Sequence, residues 1–223
     1  MIDIVVPVLN EAAGWPGVQR QLTALAACVD VKVWVVDGGS HDGTATLADQ
    51  SGLAVLHSQS GRARQMNTGA AQALGEVLLF LHADTTLPDH WLDAMRAGLD
   101  TGAVWGRFDV TIEGQSPMLK VVAFLMNWRS RLSGIATGDQ ALFMRRSAFD
   151  AVRGFPDQPL MEDIEISKRL LRLSRPACLR ARVATSGRRW DSRGVWRTIF
   201  LMWRLRFAYW RGHSATDLAR AYR

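Results

Sequence analysis

Val31-Lys32-Val33-Trp34-Val35-Val36 runs directly into Asp37-Gly38-Gly39-Ser40-His41-Asp42-Gly43-Thr44. A β-branched apolar run bounded by turn residues reads as a buried strand, and the segment after it as a tight strand-to-helix turn. A helix is predicted from about Thr44. The same alternation continues on both sides. Residues 3–8 (Asp-Ile-Val-Val-Pro-Val) read as a strand, and residues 15–28 as a helix with apolar spacing at Val18, Leu22 and Leu25. A strand near 53–57, a helix through about 63–74 and a strand over 76–81 follow. Near-continuous apolar strands with helices between them predict a mostly parallel α/β sheet covered on both faces.

The back half is mixed. It reads as strands over 103–112 and 141–145 and helices over 117–132, 161–173 and about 194–211. No repeat or low-complexity linker divides the chain, so the expected organisation is one α/β domain over 1–190, with halves of about 1–100 and 101–190, and a basic, aromatic helical tail over 191–223.

Composition excludes whole classes. The 223 residues are 48% hydrophobic and 22% charged, which rules out a disordered chain. The longest apolar runs, Val77–Leu81 and Val121–Met126, are far shorter than the ~18 residues of a spanning helix. Asp3 and the lack of a basic start do not fit a secretory signal. Two cysteines, Cys28 and Cys178, make neither a disulfide framework nor a metal pair, so the expected location is cytoplasmic. The net charge of +6 hides an asymmetry: residues 168–223 hold 15 Lys/Arg against 2 Asp/Glu, and residues 1–167 hold 12 against 19. The C-terminal quarter therefore seeks anions.

Ligands of open α/β sheets bind beyond the carboxyl ends of the strands. Those ends carry Asn10-Glu11, Asp37 to Gly43, Ser58 to Arg64, and His82-Ala83-Asp84. Three of the four bear carboxylates and the other bears Arg62 and Arg64, a combination suited to a cation and phosphate oxygens. Each segment also has a purely structural reading: Asp37 to Gly43 as a turn and helix cap, and Asp84 with Thr85-Thr86-Leu87-Pro88 as a helix-start turn. Glu162-Asp163-Ile164-Glu165 can simply complement a helix dipole, with Lys168-Arg169 at the other end. The G-x-G-x-x-G and G-x-x-x-x-G-K-[ST] loops are missing, against hydride transfer and P-loop chemistry. So are H-E-x-x-H and G-x-S-x-G, against a zinc protease and a serine hydrolase.

Taken in order, these motifs resemble family 2 glycosyltransferases of the A-type nucleotide-sugar fold. The resemblance rests on Val6 to Glu11, Val35 to Thr44, the Gly61–Gly69 stretch with Asn67, His82-Ala83-Asp84 at the D-x-D position, Glu162-Asp163 after Gly154-Phe155, and Arg189-Trp190. It implies a single nucleotide-sugar-binding domain and an inverting, hexosyltransferase-type reaction that moves a sugar from a nucleoside-diphosphate sugar to a hydroxyl acceptor, a lipid-linked one included. It implies Asp163 as general base, with Glu162 the other assignment. Pro7, Asn10, Glu11, Asp37, Gly39, Arg62, Asn67 and Asp84 would line the nucleotide-sugar site. A divalent cation, Mn²⁺ or Mg²⁺, would sit on Asp84 with His82, and Asp139, Gln140, Arg189 and Trp190 would touch acceptor or diphosphate. His82 replaces the first Asp of D-x-D, Met66 stands where Arg is usual, and Thr185 to Trp190 lacks the full Q-x-x-R-W of polymer-forming enzymes. Two other functions stay open: a non-catalytic binding or scaffold protein on the same fold, and a sugar-phosphate nucleotidyltransferase. The latter would need a Gly-rich basic loop where Asn10-Glu11-Ala12-Ala13-Gly14 stands.

In the tail, Trp196, Ile199, Phe200, Trp203, Phe207 and Trp210 share one helical stripe flanked by Arg197, Arg204, Arg206 and Arg211. That pattern has three readings: an interfacial helix, Trp196–Arg211, on an anionic membrane at its cytoplasmic face; a helix packed on the domain; and a homodimer contact. No nucleic-acid-binding module is recognisable, so no nucleic-acid partner is expected.

Overall fold

Ile2, Ile4, Val6 and Val8 point to one face of the first strand and Val5 to the other, and all five are buried. A strand buried on both sides is the centre of a layered α/β fold. The computed structural model describes residues 1–222. Along the chain come β1 (Ile2–Val8), α1 (Trp15–Ala26), β2 (Val31–Asp37), α2 (Thr44–Asp49), β3 (Ala54–His57), α3 (Arg62–Gln72), β4 (Val77–Phe80), β5 (Thr85–Thr86) and α4 (Trp91–Asp100). Then follow β6 (Trp105–Glu113), α5 (Met118–Ser133), β7 (Leu142–Arg145), α6 (Arg146–Ala151), α7 (Glu162–Leu170), β8 (Ala177–Ser186), α8 (Arg188–Arg193), α9 (Val195–Trp210) and α10 (Ala215–Tyr222).

The sheet order is β3-β2-β1-β4-β7-β6-β8-β5. The β3-β2-β1-β4 half is wholly parallel. β7 runs against both its neighbours, β6 and β8 are parallel, and β5 reverses at the far edge. The edges are a four-residue and a two-residue strand, too short to template pairing with another chain. Helices α1, α4 and α5 cover one face through Leu22, Met95 and Leu119, and α3, α6 and α7 cover the other through Met66, Phe149 and Ile166. Each fully buried Leu or Phe of these layers contributes roughly 1.5–3 kcal/mol relative to exposure. The expected α/β sandwich is the observed one.

Several elements depart from the sequence expectations. β8 lies outside the expected elements, because Arg180 and Arg182 interrupt its apolar pattern, yet it pairs with β6 over its length across one register shift. α4, α6 and α10 also lie outside the expected set. The break expected at residues 190/191 falls inside α8. The tail divides its faces: Leu205 and Leu218 pack with Met161 and Ile164 at the start of α7, while the aromatic stripe stays outside.

Candidate functional site

Asp37 closes the loop after β2. Its Oδ2 accepts the backbone N–H groups of Gly39 (2.9 Å) and Ser40 (3.1 Å), and its Oδ1 accepts the Ser40 hydroxyl at 2.5 Å. The neighbouring loop is tied to it. Asn10, at φ 55°, donates its backbone N–H to Ser40 Oγ, and its Oδ1 accepts the His41 N–H. Asp42 accepts from the Ala12 and Thr44 N–H groups. Beneath both loops Gln65 Nε2 donates to the carbonyls of Val8 and Val36, each at 2.8 Å. A Cβ on Gly38 would lie 2.8 Å from Gln65 Cδ, so the glycine leaves room for the amide that joins the two strand ends. Pro7, half-buried, borders this shelf and Gly39 turns it with φ 84°. Gln65 was missed in the sequence, because nothing local marks a glutamine that spans two strand ends.

Glu11 and Asp84 face each other across a second opening. Arg188, at the start of α8, reaches Glu11 Oε2 at 3.5 Å and Asp84 Oδ2 at 3.9 Å. With Gln21, Thr86 and Ser186 they line a cleft of about 300 Å³. Both carboxylates retain solvent access, 25% and 35% of the side chain.

His82, two residues before Asp84, turns the other way. Its Nδ1 lies 3.2 Å from Asp139 Oδ1, and its Nε2 is buried without a partner beside Gly138. A Cβ on Gly138 would lie 2.4 Å from that nitrogen. The Gly138 N–H donates to Asp163 Oδ2 at 3.1 Å. Met161, held at φ 66°, swings the chain into α7 so that Glu162 and Asp163 enter at its first turn. A non-glycine residue in that conformation is a local strain of the kind concentrated at functional sites. Arg62 approaches Glu162 Oε1 at 3.6 Å. Desolvation and the charge of Glu162 push the Asp163 carboxyl up to about 6, against the pull of two backbone N–H groups and Arg62. For Asp139, desolvation acts upward, but the hydrogen bond and charge of His82, then Arg62 and Arg189, hold it below the usual carboxylate range.

The other expected residues divide. Arg64 is bound bidentately to Asp157, at 2.7 and 3.0 Å, which leaves Arg62 to face the carboxylates. Asn67 bonds both backbone groups of Phe155, clamping the segment that leads to α7. Gln140 is fully buried, its Oε1 accepting the Thr137 N–H, so its polar atoms are spent inside the domain. Trp190 packs against the main core. Arg189 lies over the Tyr222 ring at 3.6 Å and donates to the Tyr222 hydroxyl. Arg129 on α5 was missed altogether. Its Nε and Nη2 are buried without partners, and it senses the charge of Asp163. Its closeness to Asp163 is visible only in three dimensions.

Glu11 and Asp84 already converge on one guanidinium, and hard divalent cations take one or two carboxylates together with substrate phosphate oxygens. Among the described residues no group of three or more His, Cys, Asp or Glu side chains is placed to hold a metal, so phosphate oxygens would complete the shell. The carboxylates fit. His82 stands apart from them: its Nδ1 meets Asp139 Oδ1 at 3.2 Å, and its Nε2 is buried beside Gly138.

Comparison with known proteins agrees with this architecture. The family model of Glycosyl transferase family 2 matches residues 3–153. The chain is 33% identical over 103 residues to the glycosyltransferase AglE of Haloferax volcanii, covering 41% of this chain and 33% of that protein. It is 26% identical over 190 residues to the β-monoglucosyldiacylglycerol synthase of Synechocystis, covering 76% of this chain and 40% of that one. The chain thus spans well under half the length of these curated relatives. Among solved structures, the mannosyltransferase PcManGT of Pyrobaculum calidifontis, in complex with GDP-mannose and Mn²⁺, superposes with a TM-score of 0.64 at 18% identity, covering 99% of this chain and 68% of that one.

Proposed function

The chain belongs to glycosyl transferase family 2, and on that premise we propose that it transfers a hexosyl group from a nucleoside-diphosphate sugar to a hydroxyl of its acceptor, with inversion. The observation that carries this reading is the presence of two carboxylate groups, each with an arginine beside it. Glu11 and Asp84 are solvent-accessible beside Arg188, and Asp163 is pushed up to about 6 next to Glu162. A general base works best with a pKa near the operating pH, and Asp163 meets that condition.

Each residue then has a task. Pro7, Asn10, Asp37 and Gly39 form the shelf for the nucleoside. Asp37 shapes it through the turn that its oxygens close, and Asn67 holds the approach to α7. Arg62 neutralises Glu162 and offers its remaining N–H groups to phosphate oxygens. Asp84, with Glu11 beside it, would hold a divalent cation, Mg²⁺ or Mn²⁺; when bound, the cation supplies Lewis-acid stabilisation of the leaving diphosphate. Asp163 accepts the proton of the acceptor hydroxyl at Oδ1 or Oδ2 while the Gly138 N–H keeps the carboxylate aimed. Attack from the side opposite the leaving group inverts the anomeric carbon. His82 holds Asp139, which keeps a second negative charge near Arg62 and Arg189.

The acceptor hydroxyl is lipid-linked in this reading, and the protein works on the cytoplasmic face of a membrane that it meets through α9. The test is transfer from UDP-, GDP- and TDP-hexoses to a panel of hydroxyl acceptors, followed by NMR of the product anomer. An inverted product that disappears with Asp163→Asn supports the reading. Donor binding without hydrolysis or transfer would return the chain to the scaffold alternative.

A further inference from the structure

We infer that the outer face of α9 and the cavity at its side form a docking site for an anionic phospholipid bilayer, with one headgroup phosphate seated among Arg193, Arg197 and Arg204. The inference rests on the membrane reading above and gives it a location and a chemistry. Leu205 and Thr198 turn α9 inward, and both are buried. The opposite face presents Trp196, Phe200, Trp203, Phe207 and Trp210, exposed by 59–75%. Five large aromatics along one helix are far more than the isolated apolar residues that soluble surfaces carry.

Charge chooses the occupant. Residues 192–216 contain five arginines and no Asp or Glu. Among the described residues neither Arg197 nor Arg204 makes an ion pair, and both line a cavity of about 600 Å³ with Arg193, Phe200, Leu201 and Tyr222. Guanidinium forks match phosphate oxygens in pairs, and an aromatic face bordered by arginine suits the headgroup–acyl boundary. Phe200 belongs to both the cavity and the exposed stripe, so the polar seat opens beside the apolar face. Tyr222 on the cavity wall is the residue stacked under Arg189, which joins the docking site to the acid cluster. A second copy of the chain would fit less well, because an isologous contact through this stripe brings like-charged arginine rims together.

Vesicle co-sedimentation of the full chain tests this without reference to turnover. The probes are phosphatidylcholine vesicles with and without phosphatidylglycerol. Binding should need the anionic lipid and weaken with salt. Arg197→Glu with Arg204→Glu should lower it at least tenfold, since each basic residue near the surface is worth about 1 kcal/mol, or about fivefold. Arg206→Glu with Arg211→Glu, outside the cavity, should cost less; equal losses would overturn the phosphate seat. Trp203→Ser with Phe207→Ser should abolish binding, with circular dichroism confirming the fold. Failure to bind anionic vesicles, or a dimer in ultracentrifugation that Trp203→Ser dissolves, would overturn docking. Donor hydrolysis by the same samples is read separately, so loss of docking with intact hydrolysis leaves the transferase reading standing.

Discussion

The backbone N–H of Gly138 donates to Asp163 Oδ2 at 3.1 Å, while the Cα of the same glycine closes over the buried Nε2 of His82. One residue without a side chain therefore aims the proposed base and encloses the imidazole that stands in the D-x-D position. A methyl group there would lie 2.4 Å from the ring nitrogen, closer than any real contact. Gly138→Ala should fold, because Gly138 is only half-buried, but should lower kcat about a hundredfold, the cost of a misplacement of about 1 Å. Steady-state kinetics with a thermal melt checks it; unchanged kcat would show that this aim is not needed.

The Asp163 carboxyl, pushed up to about 6 by burial and by Glu162, must be ionised to act as a base. Activity should therefore be low well below that value and rise as pH passes through it. Removing the neighbouring charge with Glu162→Gln lowers the carboxyl and should move the rising limb to lower pH. Asp163→Asn should keep donor binding and lose transfer by about 10²–10⁴-fold. A pH–rate profile of the three proteins decides, and a limb that stays put in Glu162→Gln would contradict the coupling.

Arg129 gives a sharper separation of roles. Its Nε and Nη2 are buried without partners, a cost to the folded state. Replacing the two unpaired buried N–H groups by an apolar side chain of similar length relieves that cost. Arg129→Met should raise stability by about 1 kcal/mol in urea melts. If the guanidinium waits for a substrate group, the same change should raise KM about tenfold. Higher stability with unchanged KM would make Arg129 a structural residue only.

Asp84→Ala removes the accessible carboxylate of the cleft and should abolish the metal dependence of turnover. His82→Ala should spare that dependence and act on orientation instead, because Nδ1 is held by Asp139 and Nε2 is buried beside Gly138. Titration of Mn²⁺ and Mg²⁺ against each variant checks both; a loss of cation response in His82→Ala would restore the imidazole as a ligand.

The legible parts of this molecule are those written in short range. β4 is an unbroken apolar run and β1 and β2 are nearly so, broken by Asp3 and Lys32, and α1, α3, α5, α7 and α9 carry periodicity, so the sheet and its covering follow from pattern. Asp84 and Glu162-Asp163 could be placed because strand ends and helix starts mark them. β8 was hidden because its outward positions hold arginines, and alternation of Arg with Ala resembles a solvated basic tail. Gln65, Gly138 and Arg129 were hidden for another reason: each gains its role from residues that are distant in the chain. The amides of Asn67 and Gln140 bond Phe155 and Thr137, partners that the local sequence does not mark.

The most direct test of the account is calorimetry of the full chain with UDP, GDP and TDP, each with Mn²⁺, with Mg²⁺ and with EDTA. The account predicts that one of the three nucleotides binds in the presence of cation, that EDTA removes the binding, and that Asp84→Ala loses it. No heat with any nucleotide under any condition, or binding indifferent to both EDTA and Asp84→Ala, would contradict it.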